Sequence, residues 1–144
     1  MFALAILSAR YLTVLAWMNA LAPGRDHADI AWAVAIETVD EAEAAKVTAV
    51  AFRESSLRND AVGDGGRSVC AMQVHNGSRT LLGDVGACVR RGVAMLRSSE
   101  RIDPAHPIAA YSRGPRWQGQ EAQRISNDRM ALAARLLSGA PSAR

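Results

Sequence analysis

Residues 59–66, Asn-Asp-Ala-Val-Gly-Asp-Gly-Gly, crowd three glycines and three Asn/Asp side chains into one short stretch. Neither a helix nor a strand runs through such a segment. Glycine leaves the backbone unrestricted, and Asn and Asp bond their own main chain in turns. The chain must therefore change direction there, in a tight irregular loop with positive φ angles. Before it, residues 40–57 read as a helix. Asp40 can cap its N-terminus, Glu43 stands at the capping-box position, and the Ala-rich interior holds no Gly or Pro. Glu41 and Glu43 suit the positive end of the helix dipole. Val47, Val50, Ala51 and Glu54 recur at i, i+3, i+4 and i+7 and share one face, from which Lys46 and Arg53 point away.

Glu54 is the single charge on that face. A carboxyl among apolar neighbours loses solvation for its charged form, which favours the protonated state a general acid needs. A Glu at a helix end more commonly just reaches water, so its weight depends on the residues downstream of it. Beyond the loop, residues 68–74, Ser-Val-Cys-Ala-Met-Gln-Val, form a short apolar segment holding one amide. Gln73 offers both a donor and an acceptor, which suits sugar hydroxyl and acetamido groups.

These residues resemble a family. Glu54-Ser55-Ser56-Leu57-Arg58, then Ala61-Val62-Gly63, then Ala71-Met72-Gln73-Val74 are similar to the signature of SLT-type lytic transglycosylases and the related goose-type lysozymes. Residues 83–92 resemble the family's glycine-containing core helix. Residues 109–115, Ala-Ala-Tyr-Ser-Arg-Gly-Pro, resemble its Ala-Tyr-Asn-x-Gly motif. Three pieces in the right order carry more than any one alone, and the resemblance spans about residues 28–138.

The resemblance implies a mainly α, lysozyme-like single domain over residues 25–144, acting on the glycan strands of peptidoglycan without a cofactor. By position, Glu54 would protonate the oxygen between MurNAc and GlcNAc and then act as base. The MurNAc 6-hydroxyl would close a 1,6-anhydro ring. Met72 and Gln73 would contact substrate, Tyr111 would hydrogen-bond near the glutamate and hold it, and Ser55 and Ser56 would stand at the cleft wall. The chain departs from the pattern at Cys70-Ala71, where Gly-Leu is usual, and at Ser112, where Asn is usual. A hydrolytic lysozyme is the alternative. It requires a second carboxyl group, for which Asp60 and Asp64 are the candidates, although both also read as turn residues. A wall-binding protein without turnover is a second alternative, supported by Cys70 and Ser112. The resemblance implies a periplasmic, secreted or phage-associated setting.

Charge is unevenly spread. Residues 1–85 carry 7 basic and 10 acidic side chains, and residues 86–144 carry 10 and 4. A basic half suits an anionic polymer such as a bacterial wall. Nucleic acid is not expected as a partner, because the arginines are scattered and no nucleic-acid motif is present. His27, His75 and His106 stand far apart without metal-ligand spacing, so no metal is expected. Cys70 and Cys88 either form a disulfide, as in an exported protein, or pack as two buried thiols.

Residues 1–24 read as an N-terminal apolar helix with Leu4, Leu7, Tyr11, Leu15 and Met18 on one face. The other reading is a signal segment ending at Ala20-Leu21-Ala22. A membrane span is not expected, since Arg10 interrupts too short a run. Further helices are expected from Asp26 or Asp29 to Glu37, after a cap at Asp84, from Pro107 through Tyr111, and over residues 120–138. The one expected β element is a small hairpin within residues 63–74, near the catalytic loop. Trp117 reads as a core plug or as a platform for a sugar face.

Overall fold

The computed structural model describes residues 2–139. Among these the protein is mainly helical: α1 (Phe2–Leu21), α2 (Ala28–Glu37), α3 (Glu41–Ser55), α4 (Val85–Ile102), α5 (Ala109–Arg113) and α6 (Gln120–Leu137). Three two-residue strands, β1 (Val62–Gly63), β2 (Ser68–Val69) and β3 (Val74–His75), form an antiparallel sheet in that order, with Val69 opposite both Val62 and Val74. The expected hairpin is therefore a three-stranded meander.

α3 is the central element. Every residue from Ala44 to Ala51 is buried. Its N-terminus is capped as the local sequence requires, with Asp40 accepting from the Glu43 amide at 2.8 Å. Glu43 reaches back one residue further than in a capping box, to the Val39 amide at 2.8 Å. Lys46 does not simply point to water. It lies buried and its ammonium meets Glu100 of α4 at 2.7 Å. α6 lies along α3 and buries Ala122, Ser126, Leu132, Ala133 and Leu136, whereas Leu137 is 46% exposed.

α1 packs by its second half. Val14, Trp17, Met18 and Leu21 are buried, at helical spacing. The expected stripe beginning at Leu4 is corrected accordingly, since Leu4 is 69% exposed. Arg10 shows why: its guanidinium donates to the carbonyls of Ala35, Thr38 and Val39, at and beyond the C-terminal end of α2. Of the residues before Arg10, Leu4 and Ile6 stand 69% and 59% exposed. Residues Ala3–Leu21 have the length and composition of a membrane span, with only part of the segment buried.

α4 starts at its expected cap, Asp84 accepting from the Ala87 amide at 2.8 Å. Cys88, Val89, Gly92, Val93 and Leu96 face the core. Cys88 is bonded to Cys70, so the two thiols pair as a disulfide. α5 begins at Ala109, two residues after Pro107. Buried serines on its neighbours take two of its backbone donors: the Ile108 amide donates to Ser126 of α6 at 3.1 Å and the Tyr111 amide to Ser99 of α4 at 3.0 Å. This anchors a helix too short to stand alone.

Candidate active site

α3 ends just past Glu54. Ser56 and Leu57 both take left-handed backbone angles (φ 54° and 62°), which turns the chain sharply out of the helix. Such angles are costly for residues with a Cβ, and those found here, at Ser56, Leu57, Asp64, Cys70, Gln73 and Asn76, all fall within residues 56–76. Of the loop glycines, Gly65 and Gly66 have positive φ as expected, while Gly63 is extended. Gly63 is required for space instead: a Cβ there would stand 2.3 Å from the Gln73 side-chain oxygen.

Polar ties hold this segment against the helix. The Ser55 hydroxyl donates to the Ala71 carbonyl at 2.8 Å and accepts from the Arg58 amide at 3.1 Å. The Asn59 amide donates to the carbonyls of Leu81 and Leu82, both at 3.0 Å. The Cys70–Cys88 disulfide fastens the segment to α4. Met72 is fully buried against Gly92, where any Cβ would come within 2.6–2.8 Å of the Met72 side chain. Gly92 therefore makes room for Met72.

A cleft of about 700 Å3 opens in front of these elements, lined by Glu54 of α3, by Asp64, Arg67, Ser68, Gln73 and His75 of the sheet region, by Met95 of α4, and by residues 110–116. The structure thus brings together Glu54, Asp64, Gln73 and Tyr111 from the residues picked out in sequence. Ser55, Ser56 and Met72 are not among its lining: Ser55 is a clasp, Ser56 faces solvent with its carbonyl accepting from Arg25 at 3.2 Å, and Met72 is core. Asp60 also lies outside the lining, exposed and paired with Arg58 at 3.1 Å, which holds its carboxyl below the usual range. Trp117 is half-buried and outside the lining too.

Within the cleft, Glu54 is not surrounded by apolar groups alone. Its Oε1 meets the Arg129 guanidinium of α6 at 2.7 Å, and the two side chains are only 21% and 13% exposed. Oε2 has no hydrogen-bond partner among the described residues. Tyr111 does not bond Glu54. Its hydroxyl donates to the Met72 carbonyl, bracing the segment that carries Gln73. Burial, and next the Glu54 charge, push the Tyr111 phenol far above its ordinary range, so it stays a neutral donor.

Gln73 spends its amide group internally, donating to Ala61 and Cys70 carbonyls at 3.2 and 3.0 Å. It offers a ligand its oxygen alone. Asp64 accepts from the Ser68 hydroxyl, and its carboxylate is 3.9 Å from His75 Nδ1. The Ser112 hydroxyl, in the lining, is buried without a partner among the described residues.

Sequence reasoning passed over Arg129, Arg67 and Arg116, and weighed His75 only as a metal ligand and Arg113 only as part of the motif at residues 109–115. Arg129 had a signal. It stands at helical spacing with Ala122, Ser126, Ala133 and Leu136, a charge on an inward face, as Glu54 is on α3.

A second hollow of about 350 Å3, between α2 and the start of α4, is lined by Trp32, Ile36 and Val85 with Asp29, Glu37 and Arg90, and holds none of the candidate site residues. In comparisons with known proteins, no family model, no curated protein and no solved structure matches this chain.

Proposed function

We propose that this protein is a lysozyme-like enzyme that cleaves the MurNAc–GlcNAc bond of peptidoglycan as a lytic transglycosylase, with Glu54 as its acid and then its base. The observation that carries this reading is the place of Glu54. It is a poorly exposed carboxyl at the mouth end of a buried helix, with one oxygen left over, in a cleft large enough for sugar rings. The resemblance of residues 54–58, 61–63, 71–74 and 109–115 to the family pattern supports it.

In the reaction, Glu54 acts from its protonated form, reached when the carboxylate that pairs with Arg129 takes up a proton from solvent; it gives that proton to the glycosidic oxygen as the bond to C1 of MurNAc breaks. The 6-hydroxyl of the same MurNAc attacks C1 and returns its proton to Glu54, so the enzyme ends as it began. Gln73 would accept from a sugar hydroxyl or amide. Tyr111 would keep the Gln73 segment in place through Met72. Arg67 and Arg116 along the cleft suit a polymer bearing carboxylates, whereas Arg113 is paired with Glu121. The disulfide supports an oxidising compartment, hence a periplasmic, secreted or phage-borne protein.

A hydrolytic lysozyme is the second reading, favoured by one observation: Asp64 lines the same cleft as Glu54. Asp60 is set aside as its second acid, because it turns to solvent with Arg58. Mass spectrometry of muropeptides released from purified peptidoglycan separates the readings. Anhydro-muropeptides from the parent and none from Glu54→Gln are expected. Reducing ends lost in Asp64→Asn would mean hydrolysis. No soluble product, with firm binding to the wall, would mean a binding protein.

A further inference from the structure

Arg129 and Glu54 are 75 residues apart in sequence, and their contact exists only because α6 lies along α3. Arg129 is anchored on its own helix, with Nη1 donating to the Ile125 carbonyl at 3.4 Å, while Nη2 meets Glu54. Its Nε is buried without a partner among the described residues. A guanidinium desolvated to this degree is costly unless its charge is used. Glu54 also stands in the last turn of α3, where the helix dipole disfavours a negative charge.

We propose that Arg129 is the positioning residue for Glu54, holding its carboxylate in place and stabilising the negative charge that appears when Glu54 gives up its proton. The inference rests on the reading of Glu54 as the acid. When the proton leaves for the glycosidic oxygen and the bond to C1 breaks, the carboxylate forms beside a cation already in position. No group has to reorient at that moment. The same contact fixes Oε1, so Oε2 is the oxygen free to exchange the proton, first outward and then back from the 6-hydroxyl. Arg129 is not among the residues lining the cleft, so the loss of its bond to Glu54 is expected to act on turnover and not on binding.

Steady-state kinetics on soluble, uncross-linked glycan strands test this with the parent, Arg129→Gln and Arg129→Lys. Arg129→Gln is expected to lose about a hundredfold in kcat with KM nearly unchanged, and Arg129→Lys to regain about tenfold of that loss. A purely structural role would lower the melting temperature without this split. Full kcat in Arg129→Gln, or a loss carried by KM, overturns the inference while leaving Glu54 as the acid.

A second readout needs no turnover: the guanidinium nitrogen signals of Arg129 by NMR. Distinct Nη signals in the parent, averaged in Glu54→Gln, are expected. Averaged signals in the parent overturn the inference whatever the protein does to peptidoglycan. Distinct signals with no cleavage by the parent overturn the reading of the site, and with it the role in turnover, leaving a structural ion pair.

Discussion

The two ends of α3 each carry a glutamate paired with an arginine from another helix, and they differ in how much of the carboxylate is spent. At the N-terminal end, Glu43 accepts from Arg97 with both oxygens, at 2.7 and 2.9 Å, and from the Val39 amide as well. The Arg97 bonds hold its carboxyl below the ordinary value against the opposing effect of burial. It sits where the dipole welcomes it. At the C-terminal end, Glu54 meets one arginine nitrogen through one oxygen, in the turn where the dipole opposes it, and faces a cleft. Burial and an ion pair do not by themselves mark an active residue. The glutamate whose acceptors are all used braces a helix, and the one with an unspent oxygen is the one proposed to handle a proton.

Paired substitutions break or sharpen that contrast. Glu54→Gln should remove cleavage by about a thousandfold or more while the protein stays folded, and Glu43→Gln should leave cleavage per folded molecule unchanged. Equal losses in the two, measured as muropeptide release at matched folded fraction, would end the comparison. Next in size is the staple behind the Glu54 end. Reducing Cys70–Cys88, which spans 18 residues, should cost about 3 kcal/mol by denaturant titration. It should weaken activity below the midpoint, because the freed segment carries Gln73.

At the Glu43 end the signature is acid sensitivity. A carboxyl lowered on folding adds stability that is complete above its unfolded value, near 4.5, and is lost as pH falls through the folded value. Melting temperatures followed downward from pH 5 should therefore fall less steeply in Glu43→Gln than in the parent. Identical slopes would mean that Glu43 is not held by Arg97. The smallest effect expected is from Tyr111→Phe, which deletes one hydrogen bond, to the Met72 carbonyl, at about 1 kcal/mol. It should lower activity modestly and mainly on heating. A loss matching Glu54→Gln would instead give the phenol a direct part in the chemistry.

Much of this was legible in the chain because it is local. Asp40 and Asp84 cap helices through bonds to amides three residues on, and the apolar spacing of α3, α4 and α6 places their inward faces. The Gly-rich loop announced a change of direction. Where the reading went astray, the reason was a contact between distant segments. Ser55 looked like a cleft residue but is claimed by the Ala71 carbonyl. Met72 looked like a substrate contact but fills the space left by Gly92. Asp60 and Asp64 were indistinguishable as turn residues until the fold turned one toward Arg58 and the other toward the cleft.

From the sequence alone came the mainly helical character, the site of the irregular loop, and Glu54 as a charge on an apolar face, since each depends on neighbours within a turn or two of helix. Only the tertiary structure decided that Cys70 joins Cys88, that Tyr111 supports Met72 and not Glu54, and that Arg129 stands beside Glu54. Those contacts come from the docking of α4 and α6 on α3 and of α5 on α4 and α6. Packing of that kind is chosen by the fit of whole faces, and no spacing along the chain encodes which side chain a face will deliver to its neighbour.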